Sequence, residues 1–502
     1  KSKGSLGRSK SKQQESYQGS NVASVIDAGR NLTVNATLGE NGAVSLDGGR
    51  NVTLVGSQLK AGNDLVLGAT GDIAILSGIE EQGSYSKKTK SGFLGLSKSG
   101  KSQLKTTATQ VGSELEAGSD LVVLSGRDIG VRASELHAGQ DVELHAGLLD
   151  EQGDINLLSA SNQAHSLSEK YRKKTGVSVS GGMLSVSAAK KAGQAAQSST
   201  SVGSQVTAQE DASLYAERDI NLVGSSVSAG GSVLLDAGRG VQIAAAQNQQ
   251  ADSQWQRERR TGIALDSDRN GFTAFAGNDI RTDKQRDTQH MAAASQLDAG
   301  LDVNVRAGQD IRVTGSDLAA GRDINLGAER NILLDAASEQ RLQQQEEIRQ
   351  RTGLTVNISH NAGNTLDAIK DLGKGDNVLS KVSSVLKAAD SVTQFVSGPT
   401  TAEHLGTTRQ ETRTTEQQLS QRESSLLAGR DINLQAGESI TSQGALLQSR
   451  RDINLKAQDI LLDVARGGQQ HSVEQTLSQS GINGGTTFNS ARAGIGGSHG
   501  TE

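Results

Sequence analysis

A phrase of the form L-x-A-G-x-D-I-x-L-x-A-G-x-D-I-x-L returns along the chain, and few folds accommodate a chain that repeats itself so often. One copy runs from Leu297 to Val313 (LDAGLDVNVRAGQDIRV), and the next starts at Leu318 (LAAGRDINLGAERNILL). Further copies start at Leu59, Leu115, Leu136, Val206, Val227, Leu426 and Leu447. The step is 21 residues from Leu115 to Leu136, Val206 to Val227, Leu297 to Leu318 and Leu426 to Leu447. The pair Ile26 and Leu59 is 33 residues apart, so it carries 12 extra, placed before Asn51. These starts describe ten coils in five pairs.

Each copy holds two short runs eight residues apart, such as Asp302–Val305 and Asp310–Val313. Val303 and Val305 alternate with Asp302 and Asn304, the period-two signature of a strand with one buried face. Ala-Gly pairs such as Ala307–Gly308 suit corners, and the segment Ser316–Leu318 supplies a third short side. Three sides in about 21 residues predict one rung of a right-handed parallel β-helix, an all-β solenoid. A lone rung cannot offset its backbone ordering entropy with five or six aliphatic side chains, so rungs must stack. Asn156, Asn221, Asn325, Asn433 and Asn454 recur at an outward strand position, where they form either surface ladders or plain polar cover.

Composition agrees with a thin core. Aromatic residues are 2% of 502, proline occurs once and cysteine not at all. Too few rings are present to fill a globular interior, and collagen lacks its proline and strict glycine period. Absent cysteine removes disulfide scaffolds, thiol nucleophiles and cysteine zinc sites, and it fits bacterial secretion. A net charge of −5 is too small for charge-driven disorder. No apolar run approaches the length of a membrane span. The opening KSKGSLGRSKSK has no apolar run behind it, so it does not read as a signal peptide, and the chain reads as part of something longer.

The pairs, at about 26–79, 115–160, 206–247, 297–337 and 426–466, make a shaft over 21–466. Polar inserts fall at 80–113, 161–203, 248–295 and 338–424. Residues 1–20 read as the tail of a preceding insert, and 467–502 as a polar C-terminal insert or the start of a next unit. The inserts open alike: KKTKSGFLGLS at 87, RKKTGVSVSGG at 172, RRTGIALDSD at 259 and RQRTGLTVNIS at 349. A basic pair, Thr, Gly and an alternating stretch (Val177/Val179, Ile263/Leu265, Leu354/Val356/Ile358) predict a β-hairpin leaving the shaft and returning. A flexible decoration is the competing expectation.

Lys87, Lys88, Lys90, Lys98, Lys101 and Lys105 have no acidic residue among them. They suit anionic head groups or polysaccharide, or else a solvated loop, and no interleaved aromatics support a nucleic-acid partner. Val378, Val382, Val385, Ala389, Val392 and Val396 fall at helical spacing, predicting an amphipathic helix over 376–397. Nine of the ten aromatics lie in the inserts or the leading tail, with Tyr215 alone in a rung, so recognition is expected at the inserts.

Signs of chemistry are missing. The eight histidines lack metal-ligand spacing, and His137 and His145 sit in H-A-G phrases at outward positions. The glycine-aspartate nonapeptide of calcium rolls, the phosphate loop, H-E-x-x-H and G-x-S-x-G do not occur. Pectate lyases use β-helices too, but here Arg322–Asp323, Arg430–Asp431 and Arg451–Asp452 recur at fixed repeat positions and read as corners. The expectation is no enzyme, with no catalytic, cofactor-binding or metal residues and no cofactor.

A-G-R-D-I-N-L at 320–326 and 428–434, with S-R-R-D-I-N-L at 449–455, resembles the haemagglutinin repeats of large two-partner-secreted exoproteins. Paired rungs with K-K-T-x-S-G inserts are similar to the second repeat block of the filamentous haemagglutinin and CdiA family. The resemblance implies an outer-membrane two-partner-secretion transporter as partner. It also implies a secreted or cell-surface location, with periplasmic retention before delivery to a target cell. For the CdiA type it implies a structural segment that helps carry a C-terminal toxin across the outer membrane of a neighbouring bacterium in contact-dependent growth inhibition. Its partners there are the target-cell outer membrane or a surface receptor, and an immunity protein for a toxin domain not seen in this segment. For the haemagglutinin type it implies an adhesin shaft whose inserts bind host or biofilm surfaces.

Overall fold

The computed structural model describes residues 2–5, 7–37, 50–149, 152–180, 182–268, 271–359, 401–487 and 490–501. The amphipathic helix expected over 376–397 lies outside the described residues, as does Phe488. Among the described residues there is no α-helix, only a single 3-10 turn at Phe93–Gly95.

Each 21-residue phrase folds into three short strands, as in the second rung: Gln58–Ala61, Leu65–Ala69 and Ile73–Leu76. Corresponding strands of all ten rungs pair in parallel, giving three ten-stranded sheets. The register follows the phrase. Leu59 pairs with Leu115, Leu115 with Leu136, Leu136 with Val206, and so on to Leu426 with Leu447. The shaft is therefore a stacked parallel β-solenoid, as the repeat implied.

Stacking rather than local packing creates the core. Inward positions of interior rungs, such as Leu65, Val123, Ile220 and Val305, are fully buried. Inward positions at the two end rungs are more open, with Ile26 45% and Ile460 47% exposed. At about 4.8 Å per rung, ten rungs make a shaft of roughly 50 Å.

Three columns of polar residues tie the corners together. At the first corner, Asp302 accepts the Asp323 backbone N–H (3.1 Å), and Asp323 accepts that of Asp431 (3.2 Å). Arginines one rung on clamp the same carboxylates: Arg322 on Asp302 (2.5 Å), Arg430 on Asp323, and Arg451 on Asp431 (2.6 Å). Hydrogen bonds from Arg430, against some burial, hold the Asp323 carboxyl below its ordinary value. The second corner repeats the device with Arg218 on Asp154, Arg239 on Asp219 and Arg330 on Asp310. These pairs are corner structure, as their spacing suggested.

The third corner holds a buried serine column that the sequence reading missed. Ser57 N–H donates to Ser113 Oγ (3.1 Å), and Ser113 N–H to Ser134 Oγ (3.0 Å). Further up, Ser204 N–H donates to Ser225 Oγ (3.1 Å) and Ser225 N–H to Ser295 Oγ (3.2 Å). Within the first four rung pairs the residue before the corner serine takes a positive φ: Gly56 (53°), Ala133 (44°), Gly224 (58°) and Gly315 (53°); in the fifth, Gly444 (69°) does so before Ala445. Between pairs, the same corner releases the inserts.

The inserts are hairpins, and they do not stand alone. The first is Gly78–Ser91 with Ser97–Val111, and the second Ala160–Ser180 with Met183–Val202. The third is Ala246–Asp268 with Gly271–Ala293, and the fourth Ala337–Ser359 with Thr401–Arg422. With Gly468–Thr487, Ser490–Thr501 and the leading strands Ser2–Ser5 and Arg8–Gly19, they zip side by side into one twelve-stranded antiparallel sheet. The inserts are thus the hairpins that their openings predicted, joined further into a common sheet.

Geometry accounts for the pairing of rungs. Two rungs rise about 9.6 Å along the shaft, and one two-stranded hairpin occupies the same width in a sheet. One hairpin per rung would crowd, and one per three rungs would leave gaps. The period-two arrangement lets both sheets close their hydrogen-bond ladders at once.

Candidate functional site

Strand alternation assigns each insert residue to one of two faces, and cross-strand register joins the faces along the shaft. The six lysines singled out in the sequence divide between them. Lys88, Lys90, Lys101 and Lys105 share one face, while Lys87 and Lys98 take the other with Tyr85.

The first face gathers cations from separate inserts. Lys12 pairs with Lys88, Lys88 with Lys101, and Lys101 with Lys170, four lysines on four adjacent strands. Two residues nearer the hairpin tips, Lys10 pairs with Lys90, Lys90 with Ser99, and Ser99 with Arg172. The same row continues through Lys190, Glu258, Arg281 and Arg349. Three of its members, Lys90, Arg172 and Arg349, come from the basic phrases that open the inserts, which the hairpins bring into line. Across its eight strands the belt runs roughly 34 Å along the shaft. The seven lysines and Arg172 of the two rows are exposed, from Lys10 to Lys190. Among the described residues no carboxylate lies within ion-pair distance of Lys12, Lys88, Lys101 or Lys170.

At its far end the belt closes around Asp279, which is 8% exposed. Arg349, Arg281 and Arg351 bring their Nε atoms to 3.5, 3.8 and 3.9 Å of its carboxylate. Asp279 Oδ1 and the Nε atoms of Arg349 and Arg351 have no hydrogen-bond partner. The Arg351 guanidinium also lies 5.3 Å from the ring centre of buried Phe275.

Tipward of the belt, the Thr-Gly openings build a glycine crease. Gly262 pairs with Gly277, Gly277 with Gly353, Gly353 with Gly406, and Gly406 with Gly481. A Cβ at Gly277 would meet the Thr352 carbonyl oxygen and Gly353 Cα of the next strand, so the backbones approach too closely for any side chain.

The other expected sites stay apart. His145 stacks near Tyr215, with ring centres 5.6 Å apart and tilted by 44°, and lies 3.9 Å from Glu217. His137 occupies a different side of the shaft. No cluster of three metal-ligating side chains occurs among the described residues. The asparagines do form ladders, but on two sides. Asn221 donates to Asn156 (3.0 Å) on one, and Asn454, Asn433 and Asn325 chain down to Asn304 at 2.9–3.0 Å on the other.

Fold and surface together define a β-solenoid shaft with a second sheet of hairpins along it. Residues 4–100, 94–196, 184–281, 276–401 and 405–502 each match the family described as hemagglutinin repeat, and the chain belongs to that family. Its relatives include "tRNA nuclease CdiA-2" of Burkholderia pseudomallei, 26% identical over 68% of this chain and 10% of the relative. "16S rRNA endonuclease CdiA" of Enterobacter cloacae is 24% identical over 74% of this chain and 11% of its own length. "Hemolysin" of Proteus mirabilis is 25% identical over 60% of this chain and 17% of its own. The chain thus spans between 10% and 17% of the length of these relatives. No solved structure matches it. It is a repeat shaft of the CdiA and filamentous haemagglutinin kind.

Proposed function

We propose that this shaft is a non-catalytic structural and translocation segment of a large secreted CdiA-type effector, supporting delivery of a C-terminal toxin to a neighbouring bacterium. The observation that carries this reading is the common period of rungs and hairpins, which builds one continuous rod of stacked rungs with the hairpin sheet along it. In this reading the nuclease chemistry named for two relatives belongs to a part of those proteins other than the repeats that this chain matches. In this reading the parent protein is exported by an outer-membrane two-partner-secretion transporter and retained partly in the periplasm. It then meets the outer membrane or a receptor of the target cell, with an immunity protein protecting the producer. Residues 21–466 act as the shaft, 1–20 as the tail of a preceding insert, and 467–502 as a further insert or the start of the next unit.

Removing 80–466 from the full-length parent should abolish toxin delivery while leaving attachment to target cells intact. Loss of attachment instead would favour a second reading, an adhesin shaft that binds host or biofilm surfaces through its inserts. The exposed cationic belt is the observation that favours it.

A further inference from the structure

Four lysines placed directly opposite one another on adjacent strands repel, and a sheet gains nothing internally from that arrangement. Lys12, Lys88, Lys101 and Lys170 are in that position, exposed and unpaired by carboxylates among the described residues. The chain as a whole carries −5, so this is a local segregation of charge and not a basic protein's average surface. A row of cations facing solvent at a cost to its own sheet calls for an anion outside the molecule.

The shape of the row narrows the anion. It runs across the strands, parallel to the shaft, with one cation about every 4.8 Å, so its partner is long and repeatedly charged. Beside Lys170 the same face opens into a groove of about 340 Å³ lined by Gln194, Gln254, Gln256, Asp283 and Gln285. Side-chain amides offer donors and acceptors together, which match hydroxyl groups and have no use for acyl chains. Residues between the lysines on this face are Ser86, Ser99, Gln103 and Ser168, not the apolar side chains that enter a bilayer. Tyr17, Tyr85, Tyr171 and Trp255 all lie on the opposite face, so bases would find no stacking platform here.

We propose that the Lys88 face of the insert sheet binds a linear anionic polysaccharide, laid across the strands along the belt. Its acidic groups sit on the lysine and arginine rows, and its hydroxyls reach the glutamines of the groove. This reading is independent of whether the parent protein delivers a toxin, because it concerns the insert sheet alone.

The test uses the 502-residue chain and polygalacturonate, with neutral dextran, single-stranded DNA and phosphatidylglycerol vesicles as comparators. The chain should bind polygalacturonate in a salt-dependent manner and should not bind dextran. The triple variant K88Q/K101Q/K170Q should lose at least about tenfold in affinity while its melting temperature holds or rises, because a repulsion has been removed. K88R/K101R/K170R should retain binding. K87Q/K98Q/K173Q, on the other face of the same strands, should leave affinity unchanged. Absence of polygalacturonate binding, or equal loss from both glutamine triples, would overturn the proposal. Tighter binding of DNA or vesicles than of polygalacturonate at equal charge would also overturn it, reassigning the belt to that partner.

Discussion

Tyr171 faces Gly100 directly across the seam between the first and second hairpins, and its ring occupies the space that a Cβ on the glycine would need. The same relationship holds at the neighbouring seams, with Tyr17 over Gly83 and Trp255 over Gly193. Three successive hairpin junctions are thus sealed by a large ring laid on a bare backbone. This explains why a chain so poor in aromatics keeps them in its inserts: they join modules that have no solenoid core to hold them.

Replacing Gly100 by Val should therefore eject the Tyr171 ring and loosen one seam, at a cost of about 1 kcal/mol. Hydrogen exchange should accelerate over 97–111 and 160–174 while the rungs of the shaft keep their protection. A double-mutant cycle with Tyr171→Ala should show coupling between the two positions; strict additivity would refute the pairing.

The serine column predicts a larger and more global effect. Ser225 Oγ accepts the Ser204 N–H and donates to the Val223 carbonyl (3.2 Å) in a corner with almost no exposure. Ser225→Ala leaves that N–H without a partner and should cost about 1–3 kcal/mol, read from the urea midpoint. A surface control such as Ser213→Ala should cost far less.

Ala133 is the exception among the positive-φ corner residues, since Gly56, Gly224 and Gly315 fill the equivalent positions. Ala133→Gly relieves a left-handed alanine and should stabilise the chain by about 0.5–1 kcal/mol. Gly315→Ala should do the opposite and by more, because its new Cβ would collide with Ala337 Cβ as well as adopt a strained φ. Thermal melting of the two variants should move in opposite directions.

Acid should attack both the corners and the hairpin sheet. Hydrogen bonds from Arg430 lower the Asp323 carboxyl, and those from Arg341 lower Asp287. At Asp310 burial pulls the other way, but the bonds from Arg330 and Asn331 outweigh it. A carboxyl lowered on folding contributes stability that is complete above its unfolded value, near 3.8, and is lost as pH falls through the folded value. Urea midpoints should accordingly hold at about pH 5 and drop towards about pH 2.5, with a shallower drop in Arg430→Gln.

The rungs were readable from sequence because each one repeats the same inward positions at a short, regular step, and every leading Leu or Val lands on its neighbour. The hairpin sheet was not readable, because the inserts differ in length and their mutual pairing joins residues such as Lys101 and Lys170 that no local period relates. The one available signal was the shared basic-Thr-Gly opening. It marks the level of the belt and crease, but only the register shows that Arg172 and Arg349 belong to one row. The asparagines were legible as ladders and illegible as two ladders, since Asn156 and Asn325 occupy similar phrases on different sides of the shaft. Asn304, read only as an outward strand residue, stood outside that column because its neighbours are Val303 and Val305 rather than the usual Ile and Leu.

Because one hairpin spans the width of two rungs, the smallest piece that can be added or removed without tearing either sheet is a rung pair with its hairpin. Joining Ser204 to Gln296 removes one such piece, 205–295, and should leave a shorter rod that melts in a single transition. Removing only 205–225 drops one rung and should destabilise the product far more, since every later hairpin would then be out of step with its neighbours.

The same relation constrains how such a rod changes length over generations. The interval from Leu115 to Val206 and from Val206 to Leu297 is 91 residues in each case, and the first four family matches, starting at 4, 94, 184 and 276, follow one another at a similar interval. Recombination between repeats 21 residues apart would be far easier to arrange, yet its products would carry an unpaired strand edge along the rod. Selection for solubility would then discard those odd-numbered products and leave length to vary in whole double steps.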